Sequence, residues 1–546
     1  MSDSAHGHAK PGFQGPKCWI LTAIAGLVLG AILAKVLPAP DTIPLEKIAE
    51  TRGTTVEKMK EEYEASKQGH DDHVDHAHGE HEEHGHAEAL VDPMTIKAPD
   101  IRPWHAIPFA LLLLAIALMP FINLHFWEHH FPDFAFFLGG IMISYYFVAL
   151  NAFTSLKGVP GYGGHKMVHV GMEYLQFIAL VGALYVVTGG ILIDIKGRGK
   201  PWLNTLILAI GGVIANVIGT TGAAALLIRA FIRINKHRVK AFHIVLFIFI
   251  VANCGGCLTP IGDPPLFLGY LQGVPFTWTM IHCAPAWATC LVLLLGIFYV
   301  LDTKALHQYE KSEDATPDTE PNAIKVSGYL NVVFLAIVLF GVFLDGILEG
   351  MGIHAHGWGA VLQIVAAIAA YKFSSQENLK ANEFTFGPIK EVGFLFVGLF
   401  ATMVPALDYL GNNASSLGVS SPTAFYWATG ALSSFLDNAP TYLNFLSAGH
   451  GLAGLEMGKA AGTPQWLHLE NVAGSGHAAG DFLLAISLGA VFFGANTYIG
   501  NAPNFMVKAI SESSGVQMPS FFGYILRYAI PILIPVLVLI WLLFAR

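Results

Sequence analysis

Residues 259–267 read TPIGDPPLF, and residues 497–505 read TYIGNAPNF. The two nonapeptides share Thr, Ile, Gly, Pro and Phe in register, and both lie within long apolar stretches. Proline removes a backbone donor and clashes with the preceding turn, so each motif breaks a helix at the same point. The first carries an acid, Asp263, where the second carries an amide, Asn501. A chain that breaks twice in the same way reads as an internal repeat.

The 546 residues are 54% hydrophobic and 13% charged, about half the charge of a soluble domain. Successive runs free of Asp, Glu, Lys and Arg reach the ~20 residues that a helix needs to cross the hydrocarbon layer. The fold class is therefore an all-α polytopic membrane protein, with eleven transmembrane helices and two re-entrant hairpins. Cys18, Cys254, Cys257, Cys283 and Cys290 all fall in apolar segments, which excludes a disulfide-stapled secreted domain. Cys254-Gly-Gly-Cys257 matches a redox spacing, but at membrane depth it reads as small packing residues. The net charge of −9 comes largely from one loop, and no basic patch points to nucleic acid.

Charge orders the segments. Between 195 and 262 stand Lys196, Arg198, Lys200, Arg229, Arg233, Lys236, Arg238 and Lys240, with no acid among them. They flank the apolar stretch 201–233 on both sides, so it enters and leaves by the cytoplasmic face as a hairpin. Alternating outward, the short outside loops hold only Lys157, Lys166 and Lys459. The expected orientation is N-terminus in and C-terminus out, in a bacterial inner membrane. The segments are then 1–38 (N-terminal segment and first transmembrane helix), 39–103 (polar outside loop) and 104–302 (first repeat, with hairpin 201–233 and broken helix 241–270). A cytoplasmic linker, 303–325, leads to the second repeat, 326–546, with hairpin 424–448 and broken helix 482–510. The first apolar run also fits a signal segment. Within the outside loop, HDDHVDHAHGEHEEHGHAE (70–88) carries seven His and seven acids without apolar periodicity. It reads as a disordered tract in which His73, His76, His78, His81 and His84 could weakly hold a divalent metal.

Each half contains five crossings and one hairpin, and an odd number of crossings inverts the second half relative to the first. Aligning Gly219 with Asp437 (IGTTGAAAL against LDNAPTYLN) brings Glu173 onto Glu391 without a gap. Inverted repeats with broken helices are the mark of secondary transporters, whose interrupted backbone exposes carbonyls and helix ends to an ion at mid-membrane.

Four polar patches should converge there. They supply Asn216, Thr220 and Thr221 from the first tip, Asp437, Asn438 and Thr441 from the second, Asn253, Thr259 and Asp263 from the first break, and Asn496, Thr497 and Asn501 from the second. Hydroxyls, amides, freed carbonyls and carboxylates are hard oxygen ligands, suited to Na⁺ or Li⁺ as a transported ion, with no further cofactor. An ionised carboxylate inside a bilayer is expensive, so Asp263 and Asp437 would each hold either a cation or a proton, and competition between the two is an exchange mechanism. The competing reading is structural, because Asp before a half-helix is a good N-cap. Glu173 and Glu391 are candidates for proton access, or acids at the positive ends of their helices. His165 and His243 read as structural, and Asp194, Asp345 and Asp408 as interfacial. One carboxylate per half, placed differently, predicts two unequal sites.

The strings NVIGTTGAAALLIR, NCGGCLTPIGDPPLFLGYLQGVPFTW, FLDNAPTYL and GANTYIGNAPNFMVKAI resemble the NhaD-type sodium/proton antiporters and the related citrate-transporter group of the ion transporter superfamily, over about 166–510. The resemblance implies eleven helices with two re-entrant hairpins, a homodimer held by scaffold helices, and an elevator-like movement of the hairpin-bearing domains. It also implies cation/proton exchange without chemical catalysis, so the protein is no enzyme. The dicarboxylate symporters of that superfamily carry Ser-Asn-Thr at their hairpin tips, whereas these tips read Gly219-Thr220-Thr221 and Asp437-Asn438-Ala439-Pro440-Thr441. Two alternatives stand beside exchange: symport of citrate or another organic anion, and metal handling through the His-rich loop.

Overall fold

The computed structural model describes residues 17–37, 40–44, scattered positions between 46 and 60, 99–154, 161–196, 198–311, 323–351, 353, 357–413, 418–455 and 462–546. The His-rich tract, with His73, His76, His78, His81 and His84, lies outside the described residues. Ten described helices are long and apolar enough to cross a membrane, and two shorter apolar helices accompany them.

The chain divides into two compact units. The first comprises residues 1–171, 394–416 and 450–456. Its helices α1 (Lys17–Val36), α2 (Ile107–Ile122) and α3 (Leu124–Ala149) precede the start of α4 (Tyr162–Gly189). Gly26 and Gly30, four residues apart, let α1 press on the backbone of α3 at Phe137 and Ile141, the close approach that small residues allow between membrane helices. In this unit Asp408 is buried, accepting hydrogen bonds from Tyr146 (3.1 Å) and Tyr162 and pairing with Lys166 (3.1 Å). Asp408 is therefore a packed anchor, not the interfacial acid that its place at the edge of an apolar run suggested.

The second unit comprises residues 172–393, 417–449 and 457–546. After α4 come β1 (Leu192–Lys196), α5 (Pro201–Ile234), α6 (Ala241–Ile250), α7 (Pro264–Leu271), α8 (Phe276–His282) and α9 (Ala284–Glu310). Next follow β2 (Ala323–Ser327), α10 (Tyr329–Gly350), α11 (Trp358–Phe373), α12 (Gln376–Ala381) and the start of α13 (Gly387–Asn413), whose residues from Phe394 onward belong to the first unit. The chain closes with α14 (Pro422–Ser433), α15 (Asn438–Leu452), α16 (Gly462–Leu467), α17 (Ala479–Phe493), α18 (Ala502–Ser513) and a last membrane helix, Phe521–Phe544, that runs through a π-helical stretch at Ile525–Leu533.

A straight α5 of 34 residues would hold its ends about 50 Å apart. Instead Gly199 N–H donates to Ile234 O at 2.8 Å, and Asn204 and Asn235 exchange amide hydrogen bonds at 2.9 Å. The helix folds back on itself at Gly219, whose φ of 77° and ψ of 153° are open essentially to glycine alone. The second hairpin is α14–α15, where Phe425 and Phe445 meet across the arms with ring centroids 5.8 Å apart.

At the base of the first hairpin the chain collects a buried polar clasp. Asp302 of α9 accepts from Arg238, from Asn204 (2.7 Å) and from His243 (2.9 Å). Arg238 also donates to Gly199 O (2.7 Å). His243 Nδ1 accepts from Lys240 N–H, which leaves Nε2 to carry the proton toward Asp302. The sequence took His243 as structural, and so it is, but it gave no sign of Asp302. The antiparallel ribbon β1–β2, a small addition to an otherwise helical fold, pairs Leu192–Lys196 with Ala323–Ser327. Together these contacts bring 192–196, 199–204, 234–243, Asp302 and 323–327 to one face of the unit. Helix α9 runs to Glu310, well past the point where the apolar run ends at Asp302.

Candidate functional site

The two breaks repeat in their contacts as well as in their letters. Thr259 donates its hydroxyl to Asn216 O and accepts from Gly262 N–H at 3.1 Å. Thr497 donates its hydroxyl to Ser434 O and accepts from Gly500 N–H at 3.1 Å. Asn216 and Ser434 are the positions that the tip alignment pairs, and Thr259 and Thr497 those that the break alignment pairs. In each half the threonine ties a hairpin tip to an unwound helix, Cys254–Cys257 in the first and Gly494–Asn496 in the second.

Asp263 stands at the N-cap position of α7 with extended backbone, yet its side chain makes no capping bond. It is 1% exposed and accepts three hydrogen bonds from three other elements. Thr220 of the first tip donates at 2.7 Å, Asn438 of the second tip at 2.6 Å and Asn501 of the second break at 3.0 Å. Asn253, in the first break, bonds Asn504 (2.6 Å) and accepts from Asn501 (3.2 Å), so an amide chain links one break to the other. Among the described residues no Lys, Arg or His bonds to Asp263 or Asp437. No group of three or more His, Cys, Asp and Glu suited to a metal ion occurs among them either.

Asp437 differs. It is partly exposed, and its carboxylate accepts from Ala439 N–H at 3.0 Å, capping its own turn while Thr441 donates to its carbonyl at 2.9 Å. The capping reading thus describes Asp437 and not Asp263. Nor do the halves build two separate sites, since the donors to the first-half acid come largely from the second half.

The remaining sequence candidates sort by what their polar atoms do. Asn216 is spent on backbone, donating to Gly212 O and Gly255 O and accepting from Leu258 N–H. Asn496 donates to Ser434 Oγ at 2.9 Å and leaves its Oδ1 buried without a partner. Thr221 lines a crevice of about 30 Å³ together with Gly219, Thr220, Gly262, Asp263 and Phe267. That is room for about one or two water-sized species. Glu173 is buried and accepts from Gln272, the residue that ends α7, at 2.6 Å, whereas Glu391 is exposed. Cys254, Cys257, Cys283 and Cys290 are buried free thiols.

Two contributors escaped the site list read from sequence. Asn504, fully buried, donates to Gly494 O and Thr497 O and holds the second break in shape. Ser434 carries the hairpin side of that break. Asn504 stands inside the second quoted nonapeptide, a few residues after the shared Thr-x-Ile-Gly, and Ser434 immediately precedes the quoted FLDNAPTYL.

No curated protein matches the chain. A family model does, over residues 98–545, and its description is "Putative citrate transport". That span covers both hairpins, both breaks and Asp263 with all its donors, so the chain belongs to this transporter family of the ion transporter superfamily.

Proposed function

We propose that the protein is a secondary active Na⁺(Li⁺)/H⁺ antiporter, exchanging a small cation for protons at a centre built on Asp263. The observation that carries this reading is the setting of that carboxylate: fully buried, held by neutral donors from both hairpin tips and the second break, with no basic side chain bonded to it among the described residues. Such an acid has two inexpensive states in a membrane, with a cation beside it or a proton on it. A site that alternates between those states exchanges one for the other. Asp437, at the partly exposed second tip, adds a second negative group that attracts cations. The sodium ion would take the carboxylate oxygens, the Thr220 hydroxyl and, with their amides turned, the carbonyl oxygens of Asn438 and Asn501.

The family description favours a second reading, citrate symport. Against it stand the small crevice, the two acids and the lack of basic groups bonded to them, since a tricarboxylate calls for cationic or multiple N–H partners. The test is dye-reported proton movement in everted vesicles at neutral to alkaline pH. Exchange predicts collapse of the proton gradient on adding Na⁺ or Li⁺ but not K⁺. No response to Na⁺, together with uptake of radiolabelled citrate, would replace the first reading with the second.

A further inference from the structure

Buried polar atoms that lack a partner are unevenly spread. Among the described residues, the buried side-chain oxygens without a hydrogen bond are those of Thr429, Asn438, Tyr442, Asn444, Ser487 and Asn496. All belong to the second hairpin or to the helix leading into the second break. The buried side-chain oxygens of the first hairpin and first break are satisfied by contrast: Asn216, Thr220, Asn204, Asn235 and Asn253 all have partners. Leaving a buried hydroxyl or amide unsatisfied is costly, so a layer of them implies a polar visitor.

Three of these residues form a line away from Asp263. Asn438 turns its amide N–H onto that carboxylate, which leaves Oδ1 without a donor. Tyr442 follows one turn along α15, on the same face. Its hydroxyl lies against Gly269 of α7, where the absence of a side chain makes the room, because any Cβ there would collide with it. Ser487 of α17 presents the neighbouring hydroxyl. Tyr442 and Ser487 are both fully buried. Helix α15 leads away from the tip, and α17 leads in toward the break, so the line points to the face at which α17 begins.

We propose that Asn438, Tyr442 and Ser487 line the path by which protons reach Asp263, with water as the carrier, from that face. The inference rests on the exchange reading above. A hydronium at the outer end gives its proton to the Tyr442 oxygen as Tyr442 releases its own hydroxyl proton to the next water. The phenol ends neutral, turned and ready to reset. Ser487 and the Asn438 carbonyl orient the flanking waters, and the last water protonates the Asp263 carboxylate, so one proton has moved and no bond is otherwise changed.

The test compares two fluxes in proteoliposomes: Na⁺-driven proton exchange, and ²²Na⁺/Na⁺ exchange at fixed pH, which needs no proton step. Tyr442→Phe keeps the ring and removes only the hydroxyl, so the fold should survive. The expected result is a fall of roughly a hundredfold in proton-coupled exchange, the lower end of what a positioned proton-transfer group contributes, with Na⁺/Na⁺ exchange unchanged. Ser487→Ala should shift the same flux in the same direction by less. Wild-type rates of both fluxes in Tyr442→Phe would overturn the path while leaving antiport standing. Equal loss of both fluxes would assign Tyr442 to the cation step and likewise overturn it. Absence of Na⁺/Na⁺ exchange in the wild type would instead remove the exchange reading, and the path with it.

Discussion

Two aspartates that look alike in sequence part company at the level of hydrogen bonds. Asp263 directs both oxygens away from its own helix to Thr220, Asn438 and Asn501, while Asp437 caps the turn it begins. Asp263→Asn should therefore weaken the apparent Na⁺ affinity on the order of a hundredfold, since a buried ligand charge is worth about 3 kcal/mol. Asp437→Asn can still accept from Ala439 N–H, so its effect should be about tenfold or less, because only a partly screened charge is lost. Initial rates against Na⁺ concentration measure both, and a larger effect at Asp437 would sink the assignment of Asp263 as the centre. Sequence named both residues but could not rank them, because N-cap and ligand call for the same residue in the same place. What separated them was the direction of a side chain, fixed by partners such as Asn438 and Asn501 that are remote in the chain.

Hairpin and break were legible because each rests on a local physical demand. A long, mostly apolar stretch with lysine and arginine at both ends is expected to return to its own face, and glycine stands where it turns. Gly219→Ala puts a Cβ into backbone that only glycine adopts freely, so it should cost about 1–3 kcal/mol and misplace Thr220, the donor beside it. Thermal unfolding in detergent gives the first quantity, and the Na⁺ half-saturation constant reports the second. The clasp was not legible: Asp302 sits inside a helix at the end of an apolar run, and nothing local says that Arg238, His243 and Asn204 will surround it. Asp302→Ala leaves a buried guanidinium without its carboxylate and should cost about 3–5 kcal/mol. The double replacement Arg238→Met, Asp302→Leu should be less damaging than that single change, because no charge is then stranded. A double variant that is less stable than the single would mean that the clasp's worth lies in its own hydrogen bonds and not in avoiding a buried charge.

For the molecule as a whole, the charge pattern and the hairpins together predict which face is which. The contacts among Gly199, Ile234, Arg238 and Asp302 and the β1–β2 ribbon gather the lysine- and arginine-rich segments on one face of the second unit. By the positive-inside rule we propose that this face is cytoplasmic. On that proposal the first broken helix, α9, α10, α11 and α13 cross in turn from Lys236 onward, an odd number, and α14–α15 returns without crossing. Glu470, exposed in the connection after α16, then lies on the opposite face from Lys236, which is also exposed. The described native cysteines are buried, so single replacements can be read with a membrane-impermeant maleimide. Lys236→Cys should label in everted vesicles and be protected in right-side-out ones, and Glu470→Cys should do the reverse. Labelling of both from one side would mean that 422–452 spans the membrane. The second half would then no longer be inverted relative to the first, and the matched threonine contacts at the two breaks could not be related by a two-fold axis in the membrane plane.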